Sequence, residues 1–181
     1  MHRLDELQPD PPLYPAEPRQ RARVEEADRW GDQVLQALAR RMTWWTLRHN
    51  ASAAPSYGQD SRIPLPDFAA VAATQLIARI EWRINDVSEE GTKRDLRELP
   101  GDLDRIDAWI GDGTLGAKPT PNAADLQIGS SIALLNTIAD VRPMLSGRPA
   151  LELATSHFSE FPGEMPAATL PAEWIPATGA A

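Results

Sequence analysis

Cysteine is absent from the 181 residues, which excludes disulfides, thiolate metal ligands and any cysteine nucleophile. Long hydrophobic runs are absent too. The low-charge stretch Phe68 to Ala78 is about half of the roughly 20 residues a membrane span needs, and the longest uncharged stretch, Leu126 to Ala139, also falls short. The amino end, Met1-His2-Arg3-Leu4-Asp5-Glu6, carries charge but no apolar segment, so no signal peptide is expected. A soluble cytoplasmic protein without a membrane partner is the expectation. Histidine is scarce: His2, His49 and His157 lie in separate segments, none with a carboxylate three residues earlier. That excludes the Glu-x-x-His pairing of di-metal bundles, and no metal is expected. Basic residues number 18 against 26 acidic ones, and the net charge of −8 argues against a nucleic-acid partner.

Proline is in excess, at 17 residues, and its placement explains why. Pro9, Pro11, Pro12, Pro15 and Pro18 crowd one end, and Pro162, Pro166, Pro171 and Pro176 the other. Both ends are therefore helix-breaking and extended, while the alanine-rich middle is free to form long helices. The expected division is a helical stub with a stiff linker over 1–17, a helical bundle over 18–161 and a proline-rich tail over 162–181.

Apolar spacing predicts an all-α bundle of about five to six helices. Met1, Leu4 and Leu7 share a face in the stub. A long helix is predicted from Pro18 to about Arg48, with Val24, Ala27, Gly31, Val34, Leu38, Met42 and Trp45 as its apolar row. The segment 50–67 reads as a loop. A second helix follows from about Asp67 to Val87, with an i+4 row of Phe68, Ala72, Leu76, Ile80 and Ile84, and ends at Glu89-Glu90-Gly91. A third runs from about Arg94 to Ile110, interrupted at Pro100-Gly101, and buries Leu99, Leu103, Ile106 and Ile110. A fourth, from Asn122 to about Val141, is apolar nearly all round and belongs at the bundle centre. The last runs from about Arg148 to Glu160.

Several motifs match only in spelling. Gly111-Asp112-Gly113-Thr114-Leu115-Gly116 has the letters of a dinucleotide loop, but a helix precedes it where a strand is required. It reads as a helix-terminating loop. Asp102, Asp104 and Asp107 break the calcium-loop pattern, because Ile106 occupies a ligand position. Gly129-Ser130-Ser131 lacks the last glycine of a nucleophile elbow. Asn50-Ala51-Ser52 is a glycosylation sequon without a route to secretion.

Two clusters carry weight. Arg41, Trp44 and Arg48 fall on one helix face, with Arg40 and Trp45 beside them. An aromatic flanked by guanidiniums suits an anionic or aromatic ligand, or else packs with its arginine stems reaching solvent. Asn122 and Asp125 form a capping box that satisfies the free amides of a buried helix start.

Pro119-Thr120-Pro121-Asn122-Ala123-Ala124-Asp125-Leu126-Gln127-Ile128 resembles the helix-opening segment in the carboxy-terminal domain of cytosolic glutathione transferases. In that family Ser or Thr is usual where Asn122 stands. Asp107-Ala108-Trp109-Ile110 and Arg142-Pro143-Met144-Leu145-Ser146-Gly147-Arg148-Pro149 resemble its flanks. Leu4-Asp5-Glu6-Leu7 with the proline-rich linker resembles the end of the preceding thioredoxin-like domain. The resemblance implies a parent activity that conjugates glutathione to a small electrophilic substrate, and a homodimer. It also implies that the thiol-activating Tyr, Ser or Cys belongs to the thioredoxin-like domain. No catalytic residue is then assigned here, and glutathione binding by this chain is weak or absent. Arg41, Trp44 and Arg48 would line the electrophile pocket. The other expectation is a non-catalytic helical module for a ligand or a protein partner. Self-association is expected through an exposed apolar patch on the first helix.

Overall fold

The structure, a computed structural model, describes residues 2–7, 10–59, 66–116, 120–158 and 162–176. Among these residues the fold is all-α, with a single isolated β-bridge between Ile138 and Met165. A short helix, α1 (His2–Leu7), is tied to the connector by Asp5, whose Oδ1 accepts from the Leu13 amide at 2.7 Å. The long helix begins with α2 (Pro18–Trp30), where Glu17 caps the Arg19 and Gln20 amides and Pro18 takes the position that needs no donor. It continues through a π turn (Gly31–Leu35) into α3 (Gln36–His49).

The π turn corrects one expected core position. An extra residue in the turn advances the helix phase, so Leu35 is fully buried and Val34 is 39% exposed. The rest of the row (Val24, Ala27, Gly31, Leu38, Met42 and Trp45) faces the core as expected, so α2 and α3 carry no large outward apolar patch. The segment 50–67 is less open than a loop. A 3₁₀ turn (Ala51–Ala53) leads into α4 (Ala54–Tyr57), whose first turn accommodates Pro55. Residues 60–65 lie outside the described set.

Next comes α5 (Asp67–Ile84), which stops at Asn85 and at Asp86, a non-glycine residue in the left-handed region with φ 49°. Glu89-Glu90-Gly91 does not end this helix. It opens α6 (Glu89–Gly111), where Ser88 accepts from the Gly91 amide and two acids face the positive end of the helix dipole. The expected interruption at Pro100 is also absent, because α6 runs through it. An interior proline costs about 3 kcal/mol, and the burial of Leu96, Leu99, Leu103 and Ile106 on one face offsets that. Ile110 is only partly buried.

The centre is α7 (Ala123–Asn136), in which every residue except Ser130 is buried or half-buried. It ends at Asn136, short of the expected Val141, because the chain turns there to make the bridge to Met165. Around α7 pack α2, the π turn, α3, α8 (Arg142–Leu145) and α9 (Pro149–His157). The expected end of the last helix at Glu160 lies outside the described residues. The tail then wraps the bundle: Met165 and Leu170 are buried, Asp140 accepts from the amides of Ala168, Thr169 and Leu170, and a 3₁₀ turn (Ala172–Trp174) seats Trp174 against α6.

Candidate functional site

The Arg41/Trp44/Arg48 face divides into separate roles in the fold. Arg41 turns inward and donates both Nε, at 2.6 Å, and Nη2, at 2.9 Å, to the carboxylate of Asp95 on α6. That bond holds the guanidinium above its ordinary pKa, so Arg41 is a fixed cation bound to its own protein. Trp44 is half-buried against the core. Arg48 alone reaches an open surface, with its guanidinium 5.0 Å from the centre of the Trp82 ring on α5. The three do not converge on one cleft.

Around Arg48 an aromatic layer joins three parts of the chain. Trp45 stacks on His49 at 3.8 Å between ring centres and meets Trp174 edge-on at 5.1 Å. His49 Nδ1 lies 2.7 Å from the Trp45 carbonyl, and Lys93 caps the Trp174 ring at 4.6 Å. These contacts fix the end of α3 against α5, the start of α6 and the tail. The shallow groove they support, of about 610 Å³, is lined by Arg48, Leu76, Arg79, Ile80, Trp82, Arg83 and Ile84. Three guanidiniums and no carboxylate border it, on a chain whose net charge is −8.

The groove opens on a helix that faces the unexpected way. In α5 the less exposed positions are Ala69, Ala70, Val71, Ala73, Thr74, Gln75, Ala78, Glu81 and Trp82, and only Ala78 is buried. The apolar row points outward: Phe68 is 79% exposed, Leu76 63%, Ile77 45%, Ile80 54% and Ile84 70%. The sequence pattern shows an amphipathic helix but does not say which side meets the bundle. Arg79, Trp82 and Arg83 belong to the groove and escaped the sequence reading. Their signal was a pair of arginines at i,i+4 flanking an apolar row.

A second concavity, of about 560 Å³, lies between the connector and the bundle, with Tyr14, Arg23, Asp112, Thr114, Asn122 and Asp125 among its walls. Tyr14, Arg23, Asp112, Thr114, Asn122 and Asp125 there are engaged within the fold. Tyr14 donates to Asp28 at 2.7 Å, Arg23 pairs with Asp112, and Asp112 accepts from the Thr114 hydroxyl at 2.6 Å, which holds its carboxyl below the usual range. The capping box is formed as expected. Asn122 Oδ1 accepts from the Asp125 amide at 3.0 Å, and Asp125 Oδ2 accepts from the Asn122 amide at 2.9 Å. Asp125 Oδ1 also takes the Gly116 amide at 2.8 Å, and Asn122 Nδ2 donates to the Thr114 carbonyl. Gly111 closes α6 and residues 112–116 turn away, the helix-terminating loop expected there.

Among the described residues no group of three or more His, Asp or Glu side chains could hold a metal ion. Among the same residues, no helix is long and apolar enough to cross a membrane. No protein-family model, curated protein or solved structure matches this chain.

Proposed function

We propose that the chain is the helical half of a glutathione-transferase-type protein, acting through binding rather than through catalytic residues of its own. The observation that carries this reading is the knot at the start of α7. Asp125 ties both the Asn122 amide and the Gly116 amide at the entrance of the most buried helix, in the segment that bears the resemblance. Glutathione activation then falls to a thioredoxin-like domain, and a small electrophile is the substrate of the whole enzyme. An in-frame thioredoxin-like stretch in the DNA upstream of Met1 is expected, and an in-frame stop directly before Met1 overturns the reading. These 181 residues are expected to pass unretained over immobilised glutathione.

A second reading, a non-catalytic module that docks a partner, is favoured by α5. A soluble domain rarely leaves five large aliphatic or aromatic side chains along one helix uncovered. Replacing Ile80 by Glu is expected to leave the melting temperature unchanged and to lower the binding of an apolar dye. An unchanged dye signal would remove α5 as a docking face.

A further inference from the structure

We propose that the arginine-flanked groove between the end of α3 and the second half of α5 binds a single-chain lipid acid, an amphiphile with one anionic head and one alkyl chain. This deepens the reading of α5 as a docking face and rests on it, not on the transferase resemblance. The guanidiniums carry the inference. Arg48 of α3 and Arg79 and Arg83 of α5 border the groove, and all three are exposed. Among the described residues none of the three pairs with a carboxylate. Arg79 and Arg83 stand i,i+4 on one helix, a like-charge spacing that is unfavourable until an anion sits between them. Arg48 lies 5.0 Å over the Trp82 ring, where a stacked guanidinium keeps N–H donors for an acid. Glu81, the acid on the same stretch of α5, has another partner: its carboxylate accepts from Asn85 Nδ2 at 2.8 Å.

The other side of the groove decides the rest of the ligand. Leu76, Ile80 and Ile84 wall it over about 12 Å of helix and offer no hydrogen-bonding side chain. A polar polyanion leaves that wall in water, and a neutral hydrocarbon leaves three cations without a counter-charge. An alkyl chain lying along α5 with its acid among the arginines satisfies both sides. The groove, of about 610 Å³, has the size of a small-ligand site, and its concave shape suits one chain better than a broad, flat membrane surface. Forked N–H···O⁻ bonds from arginine hold a carboxylate or a phosphate head alike.

Isothermal titration of the full chain with dodecanoate, below its micelle concentration, is expected to show saturable binding of one molecule per chain. Dodecyl phosphate in its place decides the head: tighter binding assigns a phosphate, weaker binding a carboxylate, and either order supports the site. Dodecanol and dodecyltrimethylammonium, which keep the chain and lack the acid, are expected to bind at least about tenfold more weakly. R79Q/R83Q should raise Kd for dodecanoate at least about tenfold and leave the melting temperature unchanged, since both side chains are exposed. R79K/R83K, which keeps the charge without the fork, should fall between. Equal binding of dodecanoate and dodecanol by the wild type overturns the proposal without any variant. Uptake of many molecules per chain, or of none, overturns it as well. If none binds but the chain sediments with phosphatidylglycerol vesicles and R79Q/R83Q does not, the guanidiniums serve a membrane and the proposal fails. Failure of the docking-face reading itself shows separately, as unchanged binding of the apolar dye in I80E.

Discussion

Arg41 and Asp95, 54 residues apart in sequence, form a two-point ion pair that fastens α3 to α6. Asp95 is almost fully buried and Arg41 is largely so, and the next cation, Arg94, stands off at 3.9 Å. Removing the arginine therefore strands a buried carboxylate. Arg41→Ala is expected to cost about 3 kcal/mol in urea denaturation, and Arg41→Lys less, because an ammonium keeps the charge but loses the two-point geometry. Replacing both residues with apolar ones of similar volume should recover most of the loss. A change below about 0.5 kcal/mol in Arg41→Ala would show that the pair contributes nothing to the fold.

The knot at Asp125 makes a sharper demand than an ordinary cap. Its two oxygens serve two functions: Oδ2 closes the capping box on the Asn122 amide and Oδ1 holds the Gly116 turn. Asn122→Ala is expected to cost about 1 kcal/mol, the usual loss for a helix cap. Asp125→Ala should cost more, about 2–3 kcal/mol, because it leaves the Gly116 and Asn122 amides without their acceptor in a poorly hydrated place. Equal losses for the two variants, measured by chemical denaturation, would mean that Gly116 finds water instead.

What sequence could reveal divides along a physical line. Local signals were legible: the start of α7, the loop after Gly111 and the apolar row through α2 and α3 all follow from short-range chemistry or helical period. The sense of α5 was not, because a moment says that a helix is two-sided without saying which side has a partner in the same chain. Arg41 was misjudged for a related reason. Its spacing to Trp44 and Arg48 is local, but the acid that claims it lies on another helix. Pro100 misled in the opposite direction, since a proline penalty of about 3 kcal/mol is decisive only in a helix without a buried face.

Gly31 is where the π turn crosses α7, and the crossing leaves no room for a side chain. A Cβ there would sit 2.9 Å from Ile128 Cγ1 and 3.0 Å from Gln127 Cγ. Gly to Ala inside a helix ordinarily gains about 0.5–1 kcal/mol from backbone entropy. At this position the clash wins, because Ile128 is fully buried and cannot swing aside. Gly31→Ala is expected to destabilise by about 1–3 kcal/mol, the usual range for overpacking. A gain in thermal stability would mean that α2 and α7 are free to separate.

The two tyrosines give the fold an alkaline limit. Tyr14 is buried and donates to Asp28, and both effects push its phenol well above the ordinary value of 10. Burial raises Tyr57 as well, although its bond with Thr137 at 2.8 Å works the other way. In the unfolded chain both phenols ionise near pH 10, while the folded chain keeps both protons. The unfolded state then binds fewer protons, so stability is intact below pH 10 and falls as the pH rises beyond it. Phenolate absorbance should therefore rise at higher pH in the folded protein than in the unfolded chain. Tyr14→Phe should cost about 1 kcal/mol at neutral pH, through the lost bond to Asp28, and should make the alkaline decline shallower. Folded and unfolded chains that form phenolate at the same pH would contradict the closed setting of these rings.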